Sequence, residues 1–139
     1  ADYCEEHQIE SVSLEDGLKK ADIISLHLPL TDETRHMIDE EAIKNMKDGA
    51  VVINTSRGGI IDEDAAYEAL KSGKLGGLGL DAFEMEPPKD SKLFEFDNVV
   101  ATPHTGAHTA EATRNMADCA VKNLLDVLEG NECRFIVTR

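Results

Sequence analysis

The 139-residue chain has room for one modest core, and it shows neither an apolar run approaching the ~20 residues of a membrane span nor a signal-peptide pattern, as expected of a soluble, cytoplasmic protein. Aspartate and glutamate number 28 against 14 lysines and arginines, a formal net charge of -14 with no basic cluster, which argues against nucleic acid as a partner. The three cysteines, Cys4, Cys119 and Cys133, are odd in number and widely spaced without a CxxC pair, so they read as reduced thiols and not as a disulfide framework or zinc site.

The chain opens on Ala1, a start expected of a piece of a longer protein. Residues 1–8 are polar, either the tail of a helix or disordered, and residues 9–12 suggest a short strand. Ser13 then caps a short helix with Leu14, Leu18 and Ala21 at helical spacing. The run at 23–28 predicts a buried strand stopped by Pro29. Asp39 is the cap of a helix through Met46, with Ala42, Ile43 and Met46 on one face, and Asp48-Gly49 turns the chain into a strand at 50–54.

That strand is apolar at consecutive positions, as a parallel strand buried on both faces would be, and it runs into Thr55-Ser56-Arg57-Gly58-Gly59. Asp62 caps the next helix, whose Ala65, Ala69 and Leu70 face inward and which Gly73 closes. A strand over 75–81 contains Gly76, Gly77 and Gly79, costly there unless another backbone or a ligand comes close. After a loop with Pro87-Pro88 comes a strand at 99–102, ended by Pro103. A long amphipathic helix is predicted over 109–129, with Ala112, Met116, Ala120, Leu124 and Val127 in one stripe to pack across the sheet, then Gly130 and a last short strand at 135–137.

Strands alternating with helices predict an α/β fold with a parallel sheet, and parallel strands would bring Pro29, Arg57, Asp81 and His104 to one sheet edge. Ligands of open α/β sheets collect at that edge. The planar guanidinium of Arg57 matches a carboxylate bidentately, although a surface pairing with a nearby acid is an equal alternative. His104 suits proton transfer near neutral pH, and Glu86, from the neighbouring loop, could fix its tautomer; singly they read more readily as a helix-entry residue and a solvated acid. Asp81 is either a turn carboxylate or an acceptor for a ligand amide. His27, inside an apolar run, is expected to be a hydrogen-bonded core residue. His104 and His108 lie four apart, but Gly106 between them and the lack of an HExxH glutamate argue against a metal site. Ser56 is not in a G-x-S-x-G nucleophile turn, and the glycines at 76, 77 and 79 do not form the phosphate-cradling G-x-G-x-x-G.

Four stretches in order, ADIISLHLPLT from Ala21, INTSRGGIID from Ile53, GLDAFEMEPP from Gly79 and TPHTGAHTAEA from Thr102, resemble the NAD-dependent D-isomer-specific 2-hydroxyacid dehydrogenases. The resemblance implies a Rossmann-like parallel sheet, specifically the second mononucleotide half of a dinucleotide-binding domain. Residues 1–139 would then be a partial NAD-binding domain, lacking the glycine-rich fingerprint and the substrate domain. It further implies that Arg57 clamps the substrate carboxylate, that His104 is the acid/base and that Glu86 supports it. By the same resemblance Asp81 bonds the nicotinamide carboxamide, and Leu28, Pro29, Thr55, Ser56, Arg57 and His104 border the cofactor groove, with Gly106 and Ala107 beside the nicotinamide. The implied cofactor is NAD, with NADP left open, and the implied substrate is a small 2-hydroxy or 2-oxo acid. A homo-oligomer is expected, because the strand at 23–28 presents an apolar edge. The alternative is a non-catalytic nucleotide-sensing or protein-interaction module on the same fold.

Overall fold

The computed structural model describes residues 2–136 and contains α1 (Asp2–Glu6), α2 (Leu14–Lys20), β1 (Ile23–Leu26), α3 (Glu40–Asn45), β2 (Ala50–Asn54), α4 (Glu63–Ser72), β3 (Leu75–Leu80), a 3₁₀ turn (Lys92–Glu95), β4 (Val99–Ala101) and α5 (Ala110–Leu128). Each longer helix starts where a short polar side chain can take an amide that the first turn leaves orphaned, a contribution of about 1 kcal/mol apiece. Ser13 accepts from the Asp16 amide, Asp39 from Ala42, Asp62 from Ala65 and Thr109 from Ala112. At the far end of α4, Gly73 takes the left-handed conformation at φ +79°, where a side chain would be strained.

The four strands form one parallel sheet in the order β1-β2-β3-β4. Burial alternates along β2, where Ala50, Val52 and Asn54 are buried while Val51 and Ile53 are only half covered. The expectation of a strand buried on both faces is therefore corrected: one face packs, with Ile43, Met46, Ala66 and Leu70 of the crossover segments in the same core as Val52, Leu78 and Leu80. Residues of the other register stay open, Ile23 at 64% and Val100 at 69% exposure.

Gly76 is where a neighbouring backbone comes close. Ala50 pairs with Leu75 but Val51 with Gly77, so Gly76 is an extra residue in the ladder. A Cβ there would lie 2.3 Å from the Gly49 carbonyl oxygen.

Other expectations are corrected. Residues 9–12 form no strand and pair with none of the four described strands, and Ile9 and Val12 are exposed. Leu14 is exposed and only Leu18 anchors α2. β1 leaves the ladder at Leu26, two residues early, and Phe135 and Ile136 are exposed without strand pairing, Val137 lying outside the described residues. The chain divides into two compact units, Ala1–His104 and Thr105–Arg139. The second is α5 with its flanking turns, and none of the helix's residues is buried, its apolar stripe included.

Candidate active site

The turn after β2 is wound around one buried amide. Asn54, 1% exposed, accepts from the Ser56 amide (3.0 Å) and the Ser56 hydroxyl (2.8 Å), while its own Nδ2 donates to the Arg57 carbonyl at 2.8 Å. The side-chain amide thus replaces ladder bonds that end with the strand, as a buried polar group requires. The Arg57 side chain turns outward into solvent and donates from Nη1 to the Ser56 carbonyl at 2.7 Å. Among the described residues no carboxylate forms an ion pair with it. Gly58 has a different duty: a Cβ there would stand 1.8 Å from the Phe83 carbonyl oxygen, so the turns after β2 and β3 touch backbone to backbone.

His27, Leu28, Pro29, Leu30, Ser56 and Arg57 line an open cleft of about 420 Å³ beyond the ends of β1 and β2. His27 belongs to this cleft and not to the core: it is exposed, and its Nε2 lies 2.8 Å from the Ser25 hydroxyl. Thr55 is exposed next to the cleft-lining Ser56.

Asp81, 6% exposed, ends β3; its amide donates to the Asn54 carbonyl at 3.0 Å, and its Oδ1 accepts from the Thr102 hydroxyl at 2.6 Å. The carboxylate is thereby fixed between the ends of β3 and β4. Glu86 and His104 meet just beyond. His104 adopts φ +53°, uncommon for a residue with a side chain, and its Nδ1 lies 2.9 and 3.0 Å from the two Glu86 oxygens. An ionised carboxylate only accepts, so Nδ1 carries the proton and Nε2, across the ring, is the atom left to exchange one. The His104 hydrogen bond, followed by the Phe83 amide at 3.1 Å, holds the Glu86 carboxyl below the usual glutamate range. With Phe83 and three prolines the pair lines a second cleft of about 320 Å³. Gly106 and Ala107 lie in the second unit, in a turn closed by the His108 amide on the Thr105 carbonyl at 2.9 Å.

Sequence reasoning missed several of these residues. Asn54 had a signal, as the one amide at the end of an apolar run. Thr102 on Asp81 and the Glu63–Glu84 contact each span 21 residues and had none, being created by strand order.

Comparison with known proteins agrees with this architecture. Residues 1–106 match the family model described as D-isomer specific 2-hydroxyacid dehydrogenase, NAD binding domain. A hydroxypyruvate reductase of Thermotoga maritima is 56% identical over 111 residues, covering 78% of this chain and 36% of the relative. A glyoxylate reductase of Thermococcus litoralis is 49% identical over 126 residues, covering 91% and 38%. The crystal structure of D-lactate dehydrogenase from Aquifex aeolicus complexed with NAD and lactic acid superposes with a TM-score of 0.86 at 38% identity, covering 94% of this chain and 44% of that one. The chain thus spans well under half the length of these relatives, and within that span it belongs to the D-isomer specific 2-hydroxyacid dehydrogenases, as part of their NAD-binding domain.

Proposed function

We propose that this chain is the second mononucleotide half of the NAD-binding domain of an enzyme that interconverts a D-2-hydroxy acid and its 2-oxo acid, and that it carries the proton-transfer and carboxylate-binding residues. The observation behind the reading is the contact of His104 Nδ1 with both oxygens of Glu86, at the same sheet edge as an Arg57 that no described carboxylate neutralises. The residues suit a nicotinamide: Leu28, Pro29 and Leu30 offer an apolar wall, Ser56 and Arg57 polar groups beside it, and Asp81 a buried acceptor at the next strand end. Thr55 is the further proposed cofactor contact of this unit. Bound NADH supplies the hydride for reduction, and bound NAD takes it in the reverse direction.

The side chains do the rest. Protonated His104 gives its Nε2 proton to the carbonyl oxygen as that oxygen becomes a hydroxyl, and neutral His104 takes the hydroxyl proton in oxidation. Glu86 holds the ring in the tautomer both directions need and stabilises the imidazolium. Arg57 binds the substrate carboxylate through two parallel N–H donors.

We further infer a cytoplasmic homo-oligomer, its association running through the open edge of β1. Its three free cysteines fit a reducing compartment, and among the described residues no helix is long and apolar enough to cross a membrane.

The test is oxidation of NADH, with NADPH in parallel, on glyoxylate, hydroxypyruvate and pyruvate. It is run on the chain joined to the remaining parts of the Thermotoga relative. Turnover that is lost in His104→Ala is the expected result. Nucleotide binding without turnover on any oxo acid would overturn the enzymatic reading in favour of a sensing module.

A further inference from the structure

We propose that Glu63, in the first turn of α4, is a positioning residue for the Glu86–His104 pair, acting through the backbone of Glu84. The catalytic part of this inference rests on the function proposed above. Its geometry is independent of it. Glu63 and Glu84 exchange hydrogen bonds: Glu63 Oε1 accepts from the Glu84 amide at 2.7 Å, and the Glu63 amide donates to Glu84 Oε1 at 3.3 Å. The helix start and the loop after β3 thus cap one another, each carboxylate taking an orphan amide of the other segment.

A histidine lies beside the clasp, its Nε2 close to Glu84 but without hydrogen-bond geometry. His36, held at φ +50° and bonded through its amide to the Gly59 carbonyl at 2.8 Å, puts Nε2 3.0 Å from the same Glu84 oxygen, with Nδ1 3.8 Å from Asp62. Three segments, the loop at 36–38, the head of α4 and the loop at 83–86, therefore converge on Glu84. The backbone contact of Gly58 with Phe83 removes slack on the other side.

The path from there to the acid/base pair is short. Glu84 follows Phe83, whose amide donates to Glu86 Oε1 at 3.1 Å, and that carboxylate meets His104. A loop fixed at Glu84 presents the Phe83 amide to Glu86, and a loop released there does not. Burial, with the charges of Glu84 and Asp64 adding to it, raises the Glu63 carboxyl against the opposing pull of the Glu84 amide. A crowded, half-buried acid kept beside two others fits a role that needs its reach.

Two conservative variants separate reach from charge. Glu63→Gln keeps an acceptor oxygen at the same distance and loses the charge; Glu63→Asp keeps the charge in the first helical turn and cannot span to Glu84. Carboxyl NMR titration of Glu86 in the whole chain is the readout. We expect the Glu86 midpoint to stay low in Glu63→Gln and to rise toward the ordinary glutamate range in Glu63→Asp. The Glu84 amide should exchange at least about tenfold faster in Glu63→Asp, while the Val52 and Leu78 amides keep their protection. Unchanged Glu86 midpoints in both variants, or a shift in Glu63→Gln alone, would overturn the proposal. In the completed enzyme Glu63→Asp should lower kcat by up to about 10²-fold with little change in KM, the cost of a misplaced acid/base. A shifted Glu86 midpoint with unaltered kcat leaves the clasp standing and refutes the acid/base assignment, so the two failures are distinguishable.

Discussion

Two oxygens of one glutamate are shared with one ring nitrogen of His104, and that contact has a consequence in acid. The bonds from His104 and the Phe83 amide favour the ionised form of Glu86, so its folded-state midpoint lies below that of the unfolded chain. The sign follows: the stabilisation is fully present above the unfolded midpoint and is lost as pH falls through the lower, folded one. Both partners are well exposed, so this effect on overall stability is small. It is nonetheless visible site by site. In His104→Ala the Glu86 midpoint should rise toward the usual glutamate range by carboxyl NMR, and turnover of the completed enzyme should fall by about 10²–10⁴-fold. A Glu86 midpoint that did not move on loss of the imidazole would mean that the pair does not form in solution.

Among elements, β3 separates two uses of glycine that look alike in the sequence. Gly76 occupies a bulge, and a methyl there meets the Gly49 carbonyl at 2.3 Å, a backbone neighbour that cannot step aside. The nearest atoms to a Cβ on Gly79 are the Ile53 side chain at 3.6 Å and the Ile53 Cα at 3.9 Å, ordinary contact, and its backbone is not left-handed. Gly76→Ala should therefore cost about 1–3 kcal/mol by denaturant unfolding, the usual range for overpacking. Gly79→Ala should be neutral or stabilising by up to about 1 kcal/mol, since glycine in a strand gives up more backbone freedom than alanine does. Equal losses in both would show that the bulge is not the reason for Gly76. The expectation that another backbone or a ligand comes close to the strand glycines is thus met by a backbone at Gly76, while at Gly79 no protein atom is closer than ordinary contact. The helix starts at Ser13, Asp39 and Asp62 were legible because each depends on a cap and a local pattern, while the start at Thr109 was legible from the apolar stripe alone. The contacts at the sheet edge were not: Thr102 reaches Asp81 and Glu63 reaches Glu84 only after β2, β3 and β4 have paired. The pairing of Glu86 with His104, 18 residues away, was open to the sequence only as a neighbouring-loop placement at the ends of parallel strands, and the family resemblance implies the same pair. Residues 9–12 differ in the opposite sense, having a strand-like pattern and, among the described residues, no strand paired with them.

At the scale of the whole molecule, charge and an unpaired edge oppose each other. β1 ends the sheet, with β2 on one side and among the described residues no strand on the other; its Ile23 is 64% exposed. Such an edge is a template for a second copy, and β4 at the opposite edge, three residues long, offers a shorter ladder. A formal charge of -14 on each copy repels the approach, and that repulsion is screened over about 10 Å at 0.1 M salt. Self-association through β1 should therefore strengthen as salt rises, the reverse of the behaviour of an interface held by ion pairs. Sedimentation equilibrium should show an average mass that climbs from the monomer toward the dimer with increasing salt. Ile23→Lys, which sets a like charge on each approaching edge, should hold the chain monomeric throughout. A parental chain that stays monomeric in high salt at high concentration would show that β1 is not an association surface, and association equally strong in Ile23→Lys would move the contact elsewhere on the molecule.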